Sequence, residues 1–275
     1  MELKYSPNMT NFDKVTIVTG GSKGIGEGVA RVFVAAGAKV VISSRGVVEG
    51  ESLAKELTTM GPGRCDYIRC DVSHPEEIKE LIEKTVQLHG RLDCLINNAG
   101  WHPDHRTIDG FSVEDFESLL RLNLVSYFAA CKYALPYLRK THGSIINMSS
   151  LVGEMGQEWA TTYVSTKGGI TALTKALAVD EARNGVRVNV LLPWVIVTPL
   201  GESFIGSSED PEKVRDFISS WQWNGRRGTI EEVGYTCLFL ASDGAGFITG
   251  VELNISGGAE LAYGIKFPKG GPIHI

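Results

Sequence analysis

Val15-Thr16-Ile17-Val18-Thr19-Gly20-Gly21-Ser22-Lys23-Gly24-Ile25-Gly26 is the stretch whose reading decides the fold. A short β-branched run makes a strand, a glycine cluster follows at once, and an apolar-periodic helix opens behind it. Glycine clusters punctuate many ordinary loops. This one gains meaning from its place, after a first strand and ahead of a helix. Glycines allow a tight turn and let backbone N–H groups approach a pyrophosphate, and the helix N-terminus adds partial positive charge.

Working outward, the strand-then-helix rhythm continues. Strands are expected at 39–43, 66–70, 92–96, 144–148, 186–191 and 251–255, and helices at 75–89, 113–140, 160–183 and 230–241. Ser73, ahead of Pro75, Glu76 and Glu77, reads as a capped helix start with acids at the positive end of the dipole. The strands are continuous apolar runs, as in a parallel sheet buried on both faces. The reading is α/β: a single doubly wound domain of seven parallel strands, helices on both faces, its ligand crevice at the carboxyl ends of the strands. Residues 1–275 form that one domain, with a core of about 13–263 and a tail at 264–275. Segment 201–225 interrupts the rhythm and has two readings: a mobile substrate lid, favoured by its position after a strand end, or an ordinary surface excursion.

Composition narrows the function class. The 275 residues carry 43% hydrophobic and 21% charged side chains, the balance of a soluble globular protein. The net charge of −5 argues against nucleic acid or an anionic membrane as the main partner. No apolar run reaches the roughly 20 residues of a membrane span, and the first 14 residues lack a signal-peptide core. The five cysteines are odd in number, scattered, and without a Cys-x-x-Cys pair. They imply no metal site and suit the reduced thiols of a cytoplasmic protein, with Cys94 and Cys237 in the core.

The strand-two terminus bears on the cofactor. In a NAD-binding fold an acid about 20 residues past the glycines holds the ribose 2′-hydroxyl. Here the strand ends Ile42-Ser43-Ser44-Arg45. Ser44 and Arg45 are suited to a 2′-phosphate, with Lys23 as a second cation, so NADP(H) is favoured and NAD(H) is the alternative; Arg45 also reads as a plain solvated residue. Further on, Tyr163 and Lys167 stand four apart on one helix face. A nearby ammonium favours the phenolate, which would let Tyr163 exchange a proton while a nicotinamide carries the hydride. Ser150 at a strand end would hold the substrate oxygen, and Asn123 would fix a water linking Lys167 to solvent.

These pieces in this order resemble the short-chain dehydrogenase/reductase family over about residues 13–263: Thr19-Gly-x-x-x-Gly-x-Gly26, Asp71-Val72, Asn97-Asn98-Ala99-Gly100, Asn123, Ser149-Ser150, Tyr163-x-x-x-Lys167, Val186-Arg-Val-Asn189 and Thr198. The resemblance implies a catalytic set of Asn123, Ser150, Tyr163 and Lys167. It implies a cofactor site from Gly20, Ser22, Lys23, Gly24, Ile25, Gly26, Asp71, Val72, Asn98, Ala99, Gly100, Ile196 and Thr198, with Tyr163 and Lys167. Asp71 and Val72 would flank the adenine, Asn97 back the central strand, and Ile196 and Thr198 meet the carboxamide.

Within the family, the segments 97–103, 134–140, 149–153 with Gln157, and 257–264 are similar to the type 14 17β-hydroxysteroid dehydrogenases, a group also assigned L-fucose. That likeness implies a pocket lined by His102, Gln157, Ser150 and Tyr163. It also implies a homotetramer in which Tyr263 reaches a neighbouring site, the helices at 113–140 and 160–183 pairing across subunits. His102 as a loop histidine and Gln157 as a solvated turn residue are the bland alternatives.

Two departures stand out: Ser44 replaces the acid of the type 14 enzymes, and Trp194 follows Pro193 where the family has glycine. The expected activity is interconversion of a secondary alcohol and a carbonyl, a 17β-hydroxysteroid by resemblance. The alternatives are a sugar of the L-fucose type, or a cofactor-binding protein with little turnover because of Trp194. Leu151, Val152, Trp101 and the lid aromatics would make a steroid slot; His102, Gln157 and Glu154 would serve a sugar.

Overall fold

The computed structural model describes residues 13–261. Seven parallel strands form one sheet in the order β3-β2-β1-β4-β5-β6-β7. They are β1 (Val15–Thr19), β2 (Lys39–Ser44), β3 (Arg64–Arg69), β4 (Cys94–Asn97), β5 (Ser144–Met148), β6 (Arg187–Pro193) and β7 (Glu252–Ile255). After β3 the chain crosses back over β2 and β1 to place β4 on the other side of β1. The turns leaving β1 and β4 therefore diverge and open the crevice expected at a topological switch point.

Alternation along each strand fills two cores. Val18, Val40, Ile42, Ile96 and Leu191 face α1 (Gly24–Ala35), α2 (Val47–Met60) and, towards the far edge, Val233 and Cys237 of a later helix. Val15, Ile17, Val41, Leu95 and Ile145 point the other way, to α3 (Pro75–His89) and to Ala129, Ala130, Ala134 and Leu138 further along. Period-two side chains buried on both faces are what a parallel sheet demands. Helix α2 has no counterpart in the sequence reading; its buried stripe is only Gly50, Leu53, Ala54 and Leu57, too sparse to stand out.

The long helix expected at 113–140 is interrupted. It runs as α4 (Val113–Leu120), a π-helical turn (Arg121–Val125) and α5 (Ser126–Thr141). A short α6 (Val152–Met155) and the long α7 (Thr161–Glu181) follow. Glu181 grips Arg139 through two bonds of 2.8 and 2.6 Å, tying α7 to α5. Ser73 does not cap α3: His74 occupies the cap without a side-chain bond, while the Ser73 hydroxyl turns back to Asp71 at 2.7 Å. Pro75 has no N–H to cap, and Glu77 instead accepts from the Asp71 N–H at 2.8 Å.

Segment 201–225 is built around two helices, α8 (Pro199–Gly206) and α9 (Pro211–Ser219). Glu202 links them through Arg215 at 3.1 Å and also pairs with Arg227. Trp194 turns towards this unit: its ring lies 5.9 Å from Trp221, which meets Phe217 edge-on at 5.4 Å. All five cysteines are free and buried. No helix among the described residues is long and apolar enough to cross a membrane. Tyr263 and the tail at 264–275 lie outside the described residues.

The last helix, α10 (Ile230–Ala241), crosses α1 at two glycines. A Cβ on Gly28 would stand 2.5 Å from the Ile230 carbonyl, and one on Gly234 2.8 Å from the Gly28 oxygen. Gly28→Ala is expected to lower the urea midpoint, because overpacking costs about 1–3 kcal/mol against the roughly 1 kcal/mol that alanine gains in a helix. An unchanged midpoint would show that the crossing tolerates a methyl group.

Candidate active site

The glycine turn sits where β1 and β4 part. Gly20 and Gly24 have φ of +64° and +60°, which side chains rarely adopt. A Cβ on Gly26 would lie 2.3 Å from the Gly20 oxygen. Thr19 Oγ1 accepts the backbone N–H groups of Asn98 and Ala99 at 3.0 and 3.2 Å. The Asn98 amide donates to the carbonyls of Thr19 and Gly20 at 3.0 and 3.1 Å. Asn98 therefore braces the turn with its side chain, rather than offering it to a ligand. No side chain caps α1, whose first N–H groups face the crevice end of the sheet. This close-packed, uncapped cradle fits a dinucleotide pyrophosphate.

Other expected contacts are distributed unevenly. Ser22, Lys23, Gly24 and Ile25 lie on the turn, and Thr198 caps α8 through Gly201 N at 3.2 Å while standing over Gly24. Ile196 sends its side chain into the core beside Gly228, which leaves its backbone for the crevice. Val72 is also buried in the core. Ser44 donates its proton to the Gly46 carbonyl at 3.2 Å. Arg45 is exposed and has no ion pair among the described residues. Burial opposes ionisation of Asp71, but bonds from Ser73 and the field of Arg45 outweigh it and hold the carboxyl below its ordinary value.

The side chains expected to be catalytic converge at the carboxyl end of β5. Ser149 donates to the Lys167 carbonyl at 2.8 Å, anchoring α7 to the strand, and Gly153 lets α6 approach Lys167 without a clash. The next residue, Ser150, is half-buried and hydrogen-bonds to the Tyr163 hydroxyl. Lys167 is buried, its Nζ donating to the Met148 carbonyl at 2.9 Å. The same carbonyl accepts from Tyr127 at 3.1 Å. Nζ lies 5.6 Å from the Tyr163 ring centre and 5.8 Å from that of Tyr127.

Burial dominates the ionisation of this pair. It pushes the Tyr163 phenol up to about 12, only partly offset by Ser150, and the Lys167 amine down to about 7. The lowering of Tyr163 expected from a neighbouring ammonium is not found, because in this pocket desolvation penalises both charges and Lys167 itself tends to neutrality.

Asn123 is fully buried in the π-helical turn. Its Oδ1 accepts the Trp101 N–H at 2.9 Å, and Nδ2 donates to the Trp101 carbonyl at 2.9 Å and to Thr166 at 3.1 Å. The Asn123 side chain thus braces the loop after β4, and the extra residue of the π turn aims the amide there. Asn97 bonds to Asn147 at 2.9 Å, and Asn147 to Thr174 at 2.9 Å, a buried amide chain behind the site.

The pocket residues cluster against the catalytic ring. His102 lies 4.1 Å from Tyr163, ring centre to ring centre, and 5.1 Å from His105. Gln157 bridges the two histidines at 3.2 and 3.4 Å. His105 escaped the sequence reading; its only signal was its place three residues after His102, on the same loop. Leu151 and Val152, expected in an apolar slot, are buried in the protein interior.

Comparison with known proteins fits this geometry. Residues 20–260 match a family model described as enoyl-(acyl carrier protein) reductase. The chain is 46% identical to L-fucose dehydrogenase of Bos taurus over 259 residues, 94% of each chain. Among solved structures it is similar to Cj0485 dehydrogenase, with TM-score 0.88 and 32% identity over 93% of this chain and 97% of that one. It is also similar to the ligand-free aldohexose dehydrogenase of Thermoplasma acidophilum, with TM-score 0.84 and 33% identity over 94% and 98%. With the seven-stranded sheet, the glycine cradle and the Ser150–Tyr163–Lys167 cluster in place, the chain belongs to the short-chain dehydrogenase/reductase family, oxidoreductases that act on CH–OH groups with a nicotinamide dinucleotide.

Proposed function

We propose that the protein interconverts a sugar, or a similar cyclic polyol, and its carbonyl form, with NADP(H) as the preferred nucleotide. The observation that carries the substrate class is the polar group His102–Gln157–His105 packed directly on Tyr163. A sugar brings several hydroxyls to the reacting carbon, and each needs a fixed polar partner. The relatives named for L-fucose and aldohexoses support the same class. They favour the sugar alternative over the 17β-hydroxysteroid reading, which also loses Leu151 and Val152 from its slot. The low-turnover alternative rested on Trp194, whose indole instead packs on Trp221.

In oxidation, Ser150 holds the alcohol oxygen and Tyr163 takes its proton. A nicotinamide, when bound, would supply the hydride chemistry in either direction. The α1 N-terminus and the glycine turn would hold its pyrophosphate, and Asp71 the adenine side. The substrate proton passes to Tyr163 and is taken up by the Tyr163–Lys167 pair, which returns it to solvent between turnovers.

The Tyr163–Lys167 pair titrates as a unit, and its first proton leaves from the amine. Oxidation needs the pair short of one proton, whereas reduction needs it full. Below the break near 7 set by Lys167, kcat/KM for oxidation is expected to rise with pH and then level off; for reduction it should hold steady and then fall. Lys167→Met should remove the break and lower kcat by about 10²–10⁴-fold. A wild-type break found only in the tyrosine range would show that Tyr163 works without Lys167.

Ser44 spends its proton on Gly46, leaving Arg45 and Lys23 as the cations for a 2′-phosphate. Arg45→Ala is expected to raise KM for NADP+ about tenfold, the worth of one charge-assisted bond, and to leave KM for NAD+ unchanged. Equal effects on both nucleotides, or tighter NAD+ binding by the wild type, would overturn the NADP(H) preference.

A further inference from the structure

His105 stands outside the catalytic and cofactor groups, yet it is wired to them. His102 Nδ1 lies 2.7 Å from the Pro103 carbonyl, which can only accept, so Nδ1 carries a proton. His102 Nε2 faces the Gln157 amide at 3.2 Å, and the other end of that amide faces His105 Nε2 at 3.4 Å. With the amide oxygen towards His102, its ring must be doubly protonated. With the amide turned over, the whole chain is neutral. His105 Nε2–H then donates to the Gln157 oxygen, the Gln157 amide N–H to His102 Nε2, and His102 Nδ1–H to Pro103. An amide's two ends are told apart only by such partners: the Pro103 carbonyl fixes the His102 tautomer, the bare Nε2 takes the amide N–H, and His105 as donor holds the amide's oxygen end.

Both His102 nitrogens are occupied in this arrangement. Gln157 retains one N–H and one oxygen lone pair, and the exposed His105 retains its second ring nitrogen. The two loops that carry the group are also tied together, because the Arg106 N–H donates to the Trp159 carbonyl at 2.9 Å. Trp159 adopts a left-handed φ of +59°, strain at the loop that presents Gln157. A substrate whose reacting oxygen meets Ser150 and Tyr163 has its neighbouring carbon beside this group, since the His102 and Tyr163 rings are in contact.

We propose that His105 is a positioning residue that anchors the far end of the Gln157 amide and holds it against His102, so that the Gln157–His102 pair binds a hydroxyl adjacent to the one being oxidised. This rests on the sugar reading above and names the feature of that substrate class the site selects.

The test compares wild type, His105→Phe and His105→Asn, each saturated with nucleotide, on L-fucose, trans-cyclohexane-1,2-diol and cyclohexanol. Phenylalanine keeps the ring packing and removes the donor; asparagine keeps a donor. His105→Phe should raise KM for L-fucose and the diol about tenfold, the worth of one hydrogen bond, with kcat within about twofold and cyclohexanol unaffected. His105→Asn should recover most of the loss. Equal fold-changes on all three substrates, or no change in KM, would overturn the inference and leave the sugar reading standing. Wild type that ignores L-fucose but oxidises the diol in a His105-dependent way would overturn the sugar reading and keep the inference. Activity on none of the three overturns both. Nucleotide titration checks that each variant is folded; if His105→Phe is not, the contrast of His105→Ala with His105→Asn decides by the same criteria.

Discussion

Thr19 and Asn98 lock the turn after β1 against the turn after β4, and the rest of the site hangs from that junction. Thr19 Oγ1 takes two backbone N–H groups from the far turn, and the Asn98 amide returns two bonds to the near one. A parallel sheet must part its connections on either side of the switch point, which leaves backbone polar groups facing a crevice. Here those groups satisfy each other, so the glycine turn is rigid before any ligand arrives. The uncapped α1 N-terminus is thereby left open at the turn, and a phosphate is what suits it.

The second half of the site is organised by the end of β5. The Met148 carbonyl receives both Lys167 and Tyr127, Ser149 anchors α7, and Ser150 remains to meet Tyr163. Three consecutive residues thus divide between holding the amine, holding the helix and meeting the Tyr163 hydroxyl. The cost is desolvation of a lysine and a tyrosine in one pocket. That cost also gives the pair its chemistry, since an amine brought down to about 7 can give up a proton at physiological pH.

Asn123 connects the two halves. It clamps both backbone groups of Trp101, just past the β4 turn, and bonds to Thr166 beside Lys167. The loop that follows carries His102 and His105, so the position of the His102–Gln157–His105 group depends on a π-helical turn in a distant helix. Trp194 belongs to a separate unit. With Trp221 and Phe217 it joins the end of β6 to the unit of α8 and α9, which makes tryptophan at a position usually held by glycine a packing element of that unit.

Local chemistry settled much of this chain in advance. β1, β5, α3 and α10 could be bounded from β-branched runs, Pro75 and an apolar period, because those signals need only neighbours along the chain. The Tyr163–Lys167 pair and the glycine turn were legible for the same reason: helix spacing and positive φ are local constraints. Tertiary structure decided what depends on partners far away in sequence. No spacing shows that Asn123 sits in a π turn, that the Ile196 side chain enters the core, that Leu151 and Val152 are buried, or that desolvation dominates at Tyr163. His105 has no motif at all. It acquires a role because a loop more than 50 residues away in the chain brings Gln157 to it, and hydrogen bonds between distant loops are made by the fold, not by the order of residues.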